Sequence, residues 1–341
     1  MRGTPAPTTR QGRCSTSCGG PRHEPSRKPS RLRPGGSTRT WAELLGDGFV
    51  VVVNAAAGTT DREQVAAAVA TLRTRGTADL VTTEDLRALD EALESLDGRT
   101  LVVAGGDGSV HAAVRSLWRA GTLHDTSLGL VPLGTGNDLA AGLQVPDDPV
   151  AAASLIIDGA PRVLDLITTD HDEVVVNASH AGLGASAAGE SDRFKERLGP
   201  FAYPLGALLA GVKESGWDLQ VSLDGDPIHE GSVLMVGVAN GPSIGGGTRL
   251  CPPALPDDGR LDLIVVSAVT AAARVAFGVA LRDGVHLDRE DVVHLRGRTA
   301  TIAGEAVPHD LDGEVTEERT SCTYTVQARA WRMLLAPTDG D

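Results

Sequence analysis

Leu101-Val102-Val103-Ala104-Gly105-Gly106-Asp107-Gly108-Ser109 is followed about two dozen residues later by Leu128-Gly129-Leu130-Val131-Pro132-Leu133-Gly134-Thr135-Gly136-Asn137-Asp138. Each stretch is a short apolar run that ends in a glycine-rich turn. Glycine accepts positive φ and lets the backbone come close to a ligand. A helix that follows such a turn presents free N–H groups and the positive end of its dipole. In consecutive strand–helix units of a parallel sheet, two such turns lie side by side at the carboxyl ends of strands, where anionic ligands bind.

The surrounding sequence keeps that alternation. The β-branched run 49–53 predicts a buried parallel strand. A helix is expected over 61–75 (apolar at 65, 69 and 72), then a strand over 79–82, a helix over 84–96 and a strand over 100–104. Helix 110–120, strand 128–131 and short helix 139–143 complete the series, and 150–158 also reads as helix. Strands alternating with helices imply βαβ units. Beyond residue 162 the pattern becomes mostly strand: 162–168, 173–178, 219–223, 232–239, 261–267, 300–303 and 323–328, with helices expected near 191–214 and 270–282. The expected organisation is a basic disordered tail (1–45), an α/β nucleotide-binding domain (46–161) and a β-rich domain (162–337).

Charge narrows the function classes. Residues 1–40 hold nine Lys/Arg against one acid, about +8, in a chain of net charge −14, so the remainder carries about −22. A body that acidic argues against a nucleic-acid binder and against a broadly basic membrane-docking face. The tail, rich in Pro, Ser, Gly and Arg, reads either as dispensable or as a basic arm for anionic lipid. With aromatics at 3%, the core must be built from Val, Leu, Ala and Ile. Cys14 and Cys18 alone are weak evidence for zinc, and Cys251 and Cys322 read as buried small apolar residues. Nothing calls for an oxidising compartment, a signal peptide or a spanning helix, so a cytoplasmic protein is expected.

The motifs carry the chemistry. Asp107 would repel bare phosphate; it makes sense as a holder of Mg²⁺ or of a nucleotide hydroxyl, or as a helix cap in a tight turn. Thr135, Asn137 and Asp138 put hydroxyl, amide and carboxylate on one turn, although Asn137 or Asp138 can also be an N-cap. No Walker GxxxxGK[ST] sequence, no GxGxxG after the first strand and no HRD/DFG set is present.

Six stretches, in this order, carry a more specific resemblance: Val53-Asn54-Ala-Ala-Ala-Gly58, Gly105-Gly-Asp-Gly-Ser109, Pro132-Leu-Gly-Thr-Gly-Asn-Asp138, Asn177-Ala-Ser-His-Ala-Gly-Leu-Gly184, Cys251-Pro-Pro-Ala-Leu-Pro-Asp-Asp-Gly-Arg-Leu-Asp262 and Leu311-Asp312-Gly313-Glu314. Together they resemble the diacylglycerol kinase catalytic-domain family, soluble bacterial lipid kinases related to sphingosine kinases and more distantly to NAD kinases. The resemblance implies a NAD-kinase-like parallel-sheet domain, a β-rich sandwich-like domain, and a cleft between them where ATP meets a lipid head group. It implies that Asn54, Thr82, Gly105, Gly106, Asp107, Gly108, Ser109, Val110, His111, Gly134, Thr135, Asn137 and Asp138 surround ATP. Glu314 is then the proton acceptor, and Asp312 positions its turn or a Mg²⁺. Asp258, with the carbonyls of Leu255 and Arg260, would hold a second Mg²⁺, and Asp107 would serve the nucleotide's Mg²⁺.

The implied reaction moves the γ-phosphoryl of ATP to a lipid hydroxyl, with diacylglycerol the leading acceptor and a sphingoid base or other lipid the alternative. The implied partner is a lipid at the membrane surface, met transiently, and a homodimer is allowed. Segment 194–212 is the candidate membrane contact, or else a core helix. Three departures from the family pattern stand out: Ala55 where proline is usual, Ser109 where threonine is usual, and Ala112 where glutamate is common. The last motivates a rival reading, a catalytically silent nucleotide- or lipid-binding regulator. His111, beside Ala112, reads as a nucleotide contact or as a partly exposed histidine at the helix start.

Overall fold

Val50 to Val53 form an unbroken apolar run, and in the computed structural model, which describes residues 48–55, 58–182 and 216–337, they make the buried heart of β1 (Gly48–Asn54). Both faces of this strand are covered, as a continuous β-branched run requires. On one side β1 pairs in parallel with β2 (Thr77–Thr83), and on the other with β3 (Thr100–Gly105), which pairs in turn with β4 (Ser127–Pro132). The crossovers are α1 (Thr59–Leu72), α2 (Leu86–Glu94) and α3 (Asp107–Ala120). Val65, Val69 and Leu72 of α1, three or four residues apart, face the core. Asp85 caps α2 by accepting from Ala88 N at 2.8 Å. Two further helices, α4 (Asp138–Gly142) and α5 (Pro149–Asp158), complete this lobe.

The rest is strand-rich. β5 (Ala160–Thr169), β6 (Val174–Val175), β7 (Ala178–Gly182), β8 (Trp217–Leu223), β9 (Asp226–Val233), β10 (Met235–Ala239) and β11 (Leu261–Val266) precede α6 (Ala271–Asp283). β12 (Val292–Gly297), β13 (Thr299–Val307), β14 (His309–Leu311), β15 (Glu314–Val315) and β16 (Arg319–Leu335) follow. One sheet runs β2-β1-β3-β4-β16-β13-β8-β9, with β5 and β6 attached; the second runs β12-β11-β10-β7-β14-β15. Odd residues of β8 (Leu219, Val221, Leu223) and of β11 (Leu261, Leu263, Val265) fill a shared core between the sheets, the period-2 signature of a sandwich. The even residues Ile264 and Val266 face a third cluster with Leu250, Cys251 and Phe277.

β16 joins the two regions. Its first half pairs with β13, while Arg332 and Met333 pair in parallel with Ser127 and Leu128 of β4. The N-terminal core therefore includes Trp331, Met333, Leu334 and Leu335 from the far end of the chain. The sequence pattern predicts only the middle of this strand, 323–328. It also misses β12, β14 and β15, and its single strand 232–239 takes in only the end of β9 and runs it into β10. The helix expected at 191–214 lies outside the described residues. Among the described residues no helix is long and apolar enough to cross a membrane.

The sandwich carries a built-in sensitivity to acid. Burial pushes the His309 imidazole down from 6.5 to about 4, helped by the nearby charge of Arg319, and its Nδ1 lies 2.6 Å from the Tyr324 hydroxyl. Burial lowers His180 and His286 as well. The fold demands neutral His309, while the unfolded chain protonates it near pH 6.5. Its contribution, roughly 3 kcal/mol, is present above that pH and is lost as the pH falls toward about 4. Denaturant melts at pH 7 and pH 4.5 should show a marked loss of stability in the native sequence and a shallower loss in His309→Gln.

Candidate active site

The two glycine turns meet backbone to backbone. A β-carbon on Gly134 would stand 2.9 Å from Gly106 Cα, and one on Gly106 would stand 3.2 Å from Gly134 Cα. Leu133 N donates to Gly105 O at 3.2 Å. Helix α3 starts at Asp107, and its N-cap, Gly106, brings no side chain to close the end. By position, the N–H groups of Asp107 and Gly108 have no acceptor within the helix. The geometry is that of an anion-binding helix start.

Asp107 ties the two turns together. Its Oδ2 accepts from Asp138 N at 3.0 Å and its Oδ1 from Leu139 N at 3.1 Å, so the first loop caps the helix of the second. Burial raises its pKa, against the lowering effect of those two N–H groups; the charges of Asp138 and Asp312 push the same way as burial. Asp138 reaches onward. Its carboxylate accepts from Gly246 N at 2.7 Å and Gly247 N at 2.8 Å, binding a glycine loop of the β-rich region to the second turn. Asn137, at φ 50°, gives its Nδ2 to Gly134 O at 2.7 Å. Its Oδ1 is buried with no hydrogen-bond partner among the described residues. Thr135 is exposed at the turn.

A groove of about 430 Å³ opens beside the first turn, lined by residues that include Asn54, Thr83, Gly106, Gly108, Ser109 and Ala112. Thr83 lines it, where Thr82 was expected: successive residues of β2 point to opposite faces, and Thr83 is the one turned inward, its hydroxyl donating to Val53 O. Val110 belongs to the core, so only its backbone belongs to the loop.

The Asp312–Glu314 turn sits over the adjoining face of α3, the one that carries His111 and Arg115. Asp312, at φ 53°, is held by three backbone donors: Val176 N at 2.6 Å to Oδ2, and Asn177 N and Ala178 N, both at 2.9 Å, to Oδ1. His111 Nδ1 lies 2.8 Å from Asp312 Oδ2. The expected partly exposed histidine is in fact buried at 3%, because the hairpin covers it. Its Nε2 lies 4.0 Å from Glu314 Oε2. Glu314 itself is open, 56% exposed, and Arg115 Nη1 donates to its Oε2 at 2.9 Å. A wider hollow of about 880 Å³ lies here, walled by His111, Arg115, Arg119, Glu314 and Arg319 among others. Arg115, one turn after His111 on α3, was not singled out from sequence; the i, i+4 spacing of the two was the available signal.

Asp312 thus anchors its turn to Val176, Asn177 and Ala178. Asp312→Ala would strand three N–H groups and His111, at ~1–3 kcal/mol for each buried group left without its acceptor. Both the melting temperature and turnover are expected to fall, whereas Glu314 variants should lower turnover alone. Thermal denaturation alongside the kinetic assay checks this.

Comparison with known proteins agrees with this geometry. A family model described as "Diacylglycerol kinase catalytic domain" matches residues 48–169, and one described as "YegS C-terminal NAD kinase beta sandwich-like domain" matches 177–334. A protein named "Probable lipid kinase YegS-like" from Xanthomonas campestris pv. campestris (strain 8004) is 35% identical over 287 residues, covering 79% of this chain and 91% of that protein. The chain belongs to the diacylglycerol kinase catalytic-domain family, on its YegS-like lipid-kinase branch. A second protein of that name, from Stenotrophomonas maltophilia (strain K279a), is 33% identical, with 75% of this chain and 83% of that one covered. A crystal structure of a diacylglycerol kinase from Bacillus anthracis str. Sterne superposes with a TM-score of 0.67 at 21% identity, over 85% of this chain and 98% of that one, and supports the fold.

Within this lipid-kinase chain the two expected Mg²⁺ sites fare differently. At the mouth of the turns, the Asp107 carboxylate and the orphaned Asn137 Oδ1 are hard oxygen donors that suit the ion accompanying ATP. The set Asp258, Leu255 and Arg260 does not fit a divalent ion. Asp258 Oδ2 is ion-paired with the Arg296 guanidinium, and its Oδ1 accepts from Arg260 N at 3.0 Å. The protein's own cation takes the charge there. Arg296 lies 38 positions after Asp258 in the chain, on β12, which the sequence pattern did not reveal.

Proposed function

We propose that this chain is an ATP-dependent lipid kinase that transfers the γ-phosphoryl group to a lipid hydroxyl, with diacylglycerol the leading acceptor and phosphatidic acid the product. The observation that carries the reading is the joining of the two glycine turns through Asp107 at the start of α3, the same helix whose Arg115 holds Glu314 of the β14–β15 hairpin. On this reading, the turns and the open start of α3 receive the phosphates, and the base or ribose lies along the groove toward Asn54 and Thr83. Phosphoryl transfer asks for alignment and charge neutralisation more than for covalent chemistry. Mg²⁺ bound with ATP supplies neutralisation of the phosphate oxygens.

The lipid alcohol is a weak nucleophile. Glu314 is placed to take its proton while Arg115 and the Asp312-anchored turn fix the carboxylate in place. Exposure of Glu314 to the larger hollow suits an acceptor that comes from a membrane surface. Ala112 faces the groove without the carboxylate common in the family, while Asp107 and Glu314 are intact, which favours catalysis over silent binding.

Incubation with γ-labelled ATP and vesicles carrying diacylglycerol, a sphingoid base or phosphatidylglycerol tests the reading. Label is expected in phosphatidic acid. Label only in another lipid would replace the acceptor, label only in NAD would replace the family branch, and binding without transfer would leave a silent regulator.

A further inference from the structure

We propose that Cys251, Asp262 and His294 form a site for a zinc-class divalent ion, separate from the phosphate site. The three ligand atoms, one sulfur, one oxygen and one nitrogen, all lie within 4.8 Å of one another. Cys251 Sγ stands 3.6 Å from His294 Nε2. Two ligands of tetrahedral zinc, with Zn–S ~2.3 Å and Zn–N ~2.0–2.1 Å, stand about that far apart. His294 Nε2 lies 2.7 Å from Asp262 Oδ1, and this contact would open by ~0.6–0.8 Å to admit the ion.

The second observation is the state of Asp262. It is 1% exposed, and its Oδ2 is buried with no hydrogen-bond partner among the described residues beyond the Cys251 thiol beside the carboxylate. Buried carboxylate oxygens are rarely left so. Its other oxygen meets His294 and, at 3.4 Å, Arg296 Nε. Arg296 is already ion-paired with Asp258. The carboxylates of Asp258 and Asp262 thus share one guanidinium. A divalent ion that displaces the thiol proton to solvent adds one net positive charge beside these carboxylates. Without such an ion, burial and the Asp262 carboxylate together push the Cys251 thiol far up.

The backbone holds the three residues in place. Asp262 stands opposite Arg296 across the β11–β12 pair, and His294 stands opposite Ile264, so Asp262 and His294 are diagonal neighbours on one face. Cys251 N donates to Pro242 O at 3.0 Å, and Ala254 N to Cys251 O at 3.0 Å, fixing the thiol under that face. Cys251 is walled by Leu250, Ala254 and Ile264 of the third core cluster. Water fills the fourth position of a three-ligand zinc site. The ion would clamp the 251–260 loop to β11 and β12. Sulfur in the set selects zinc over magnesium, so the two metals would not compete.

Cobalt(II) is the probe. A protein with Cys14→Ser, Cys18→Ser and Cys322→Ala keeps Cys251 as its single thiol. It is expected to bind one equivalent of cobalt, with a near-ultraviolet thiolate-to-metal band and visible bands of tetrahedral intensity, all bleached by zinc. Adding Cys251→Ser should abolish the near-ultraviolet band, and His294→Gln should weaken binding at least tenfold. If Cys322→Ala fails to fold, the Cys14→Ser/Cys18→Ser protein with and without Cys251→Ser gives the same comparison. Absence of a thiolate band at excess cobalt in folded protein would overturn the site and leave a hydrogen-bonded Cys–Asp–His cluster. A band that survives Cys251→Ser would overturn it as well.

Discussion

Glu314→Gln is expected to cut lipid-dependent turnover by about 10²–10⁴-fold, the range that a positioned general base contributes, while the Kd for ATP changes little. The reasoning is geometric. Glu314 lies on the hairpin over the His111–Arg115 face of α3, half open to the larger hollow and held by Arg115, and it does not line the groove beside the first turn, which Gly108, Ser109 and Ala112 border. Glutamine keeps the shape and can still accept from Arg115, but it cannot take a proton. The loss should therefore appear in kcat and kcat/KM for the lipid alike, the mark of an interaction made in the transition state. A fall in ATP affinity of the same size would move Glu314 into the nucleotide site, and full retained turnover would remove it as the base.

Gly134→Ala should act in the opposite way, on nucleotide binding first. Its β-carbon would stand 2.8 Å from Asn137 Oδ1 and 2.9 Å from Gly106 Cα. These two atoms belong to the loops that the proposed function assigns to phosphate, and the backbone one cannot rotate aside. Overpacking of this kind costs ~1–3 kcal/mol, which corresponds to roughly 5–150-fold in ATP affinity. The turns would separate before the cores did, since Gly134 is exposed and the packed strands β3 and β4 lie behind it. Calorimetric titration with ATP, paired with a thermal melt, separates the two outcomes. A drop in affinity with a nearly unchanged melting temperature is expected; an unchanged affinity would mean that the turns do not form the phosphate site.

The strands and turns of the N-terminal lobe were legible because they are local. A β-branched run, a glycine turn and apolar residues at helical spacing each speak for themselves within a dozen residues. The burial of Cys251 and Cys322 was legible for the same reason. Less legible were the partnerships. Asp107 and Asp138 look like ligand carboxylates in sequence, and in the fold each also accepts from backbone N–H groups 31 to 109 positions away. His111 is buried by a hairpin 201 residues further on. Arg296 neutralises Asp258 from a strand with no strong apolar alternation. Thr83 displaced Thr82 by a single residue, a difference that only the register of β2 against β1 decides. In each case the missing information was which distant element packs opposite, and periodicity does not carry it.

Amide hydrogen exchange with and without Mg-ATP tests the central claim most directly, since that claim places one triphosphate across both glycine turns. Peptides covering 105–111 and 133–139 should gain protection together, at the same ATP concentration, with peptides around Asn54 and Thr83 following them. Protection at only one turn, or at neither while ATP still binds, would contradict it.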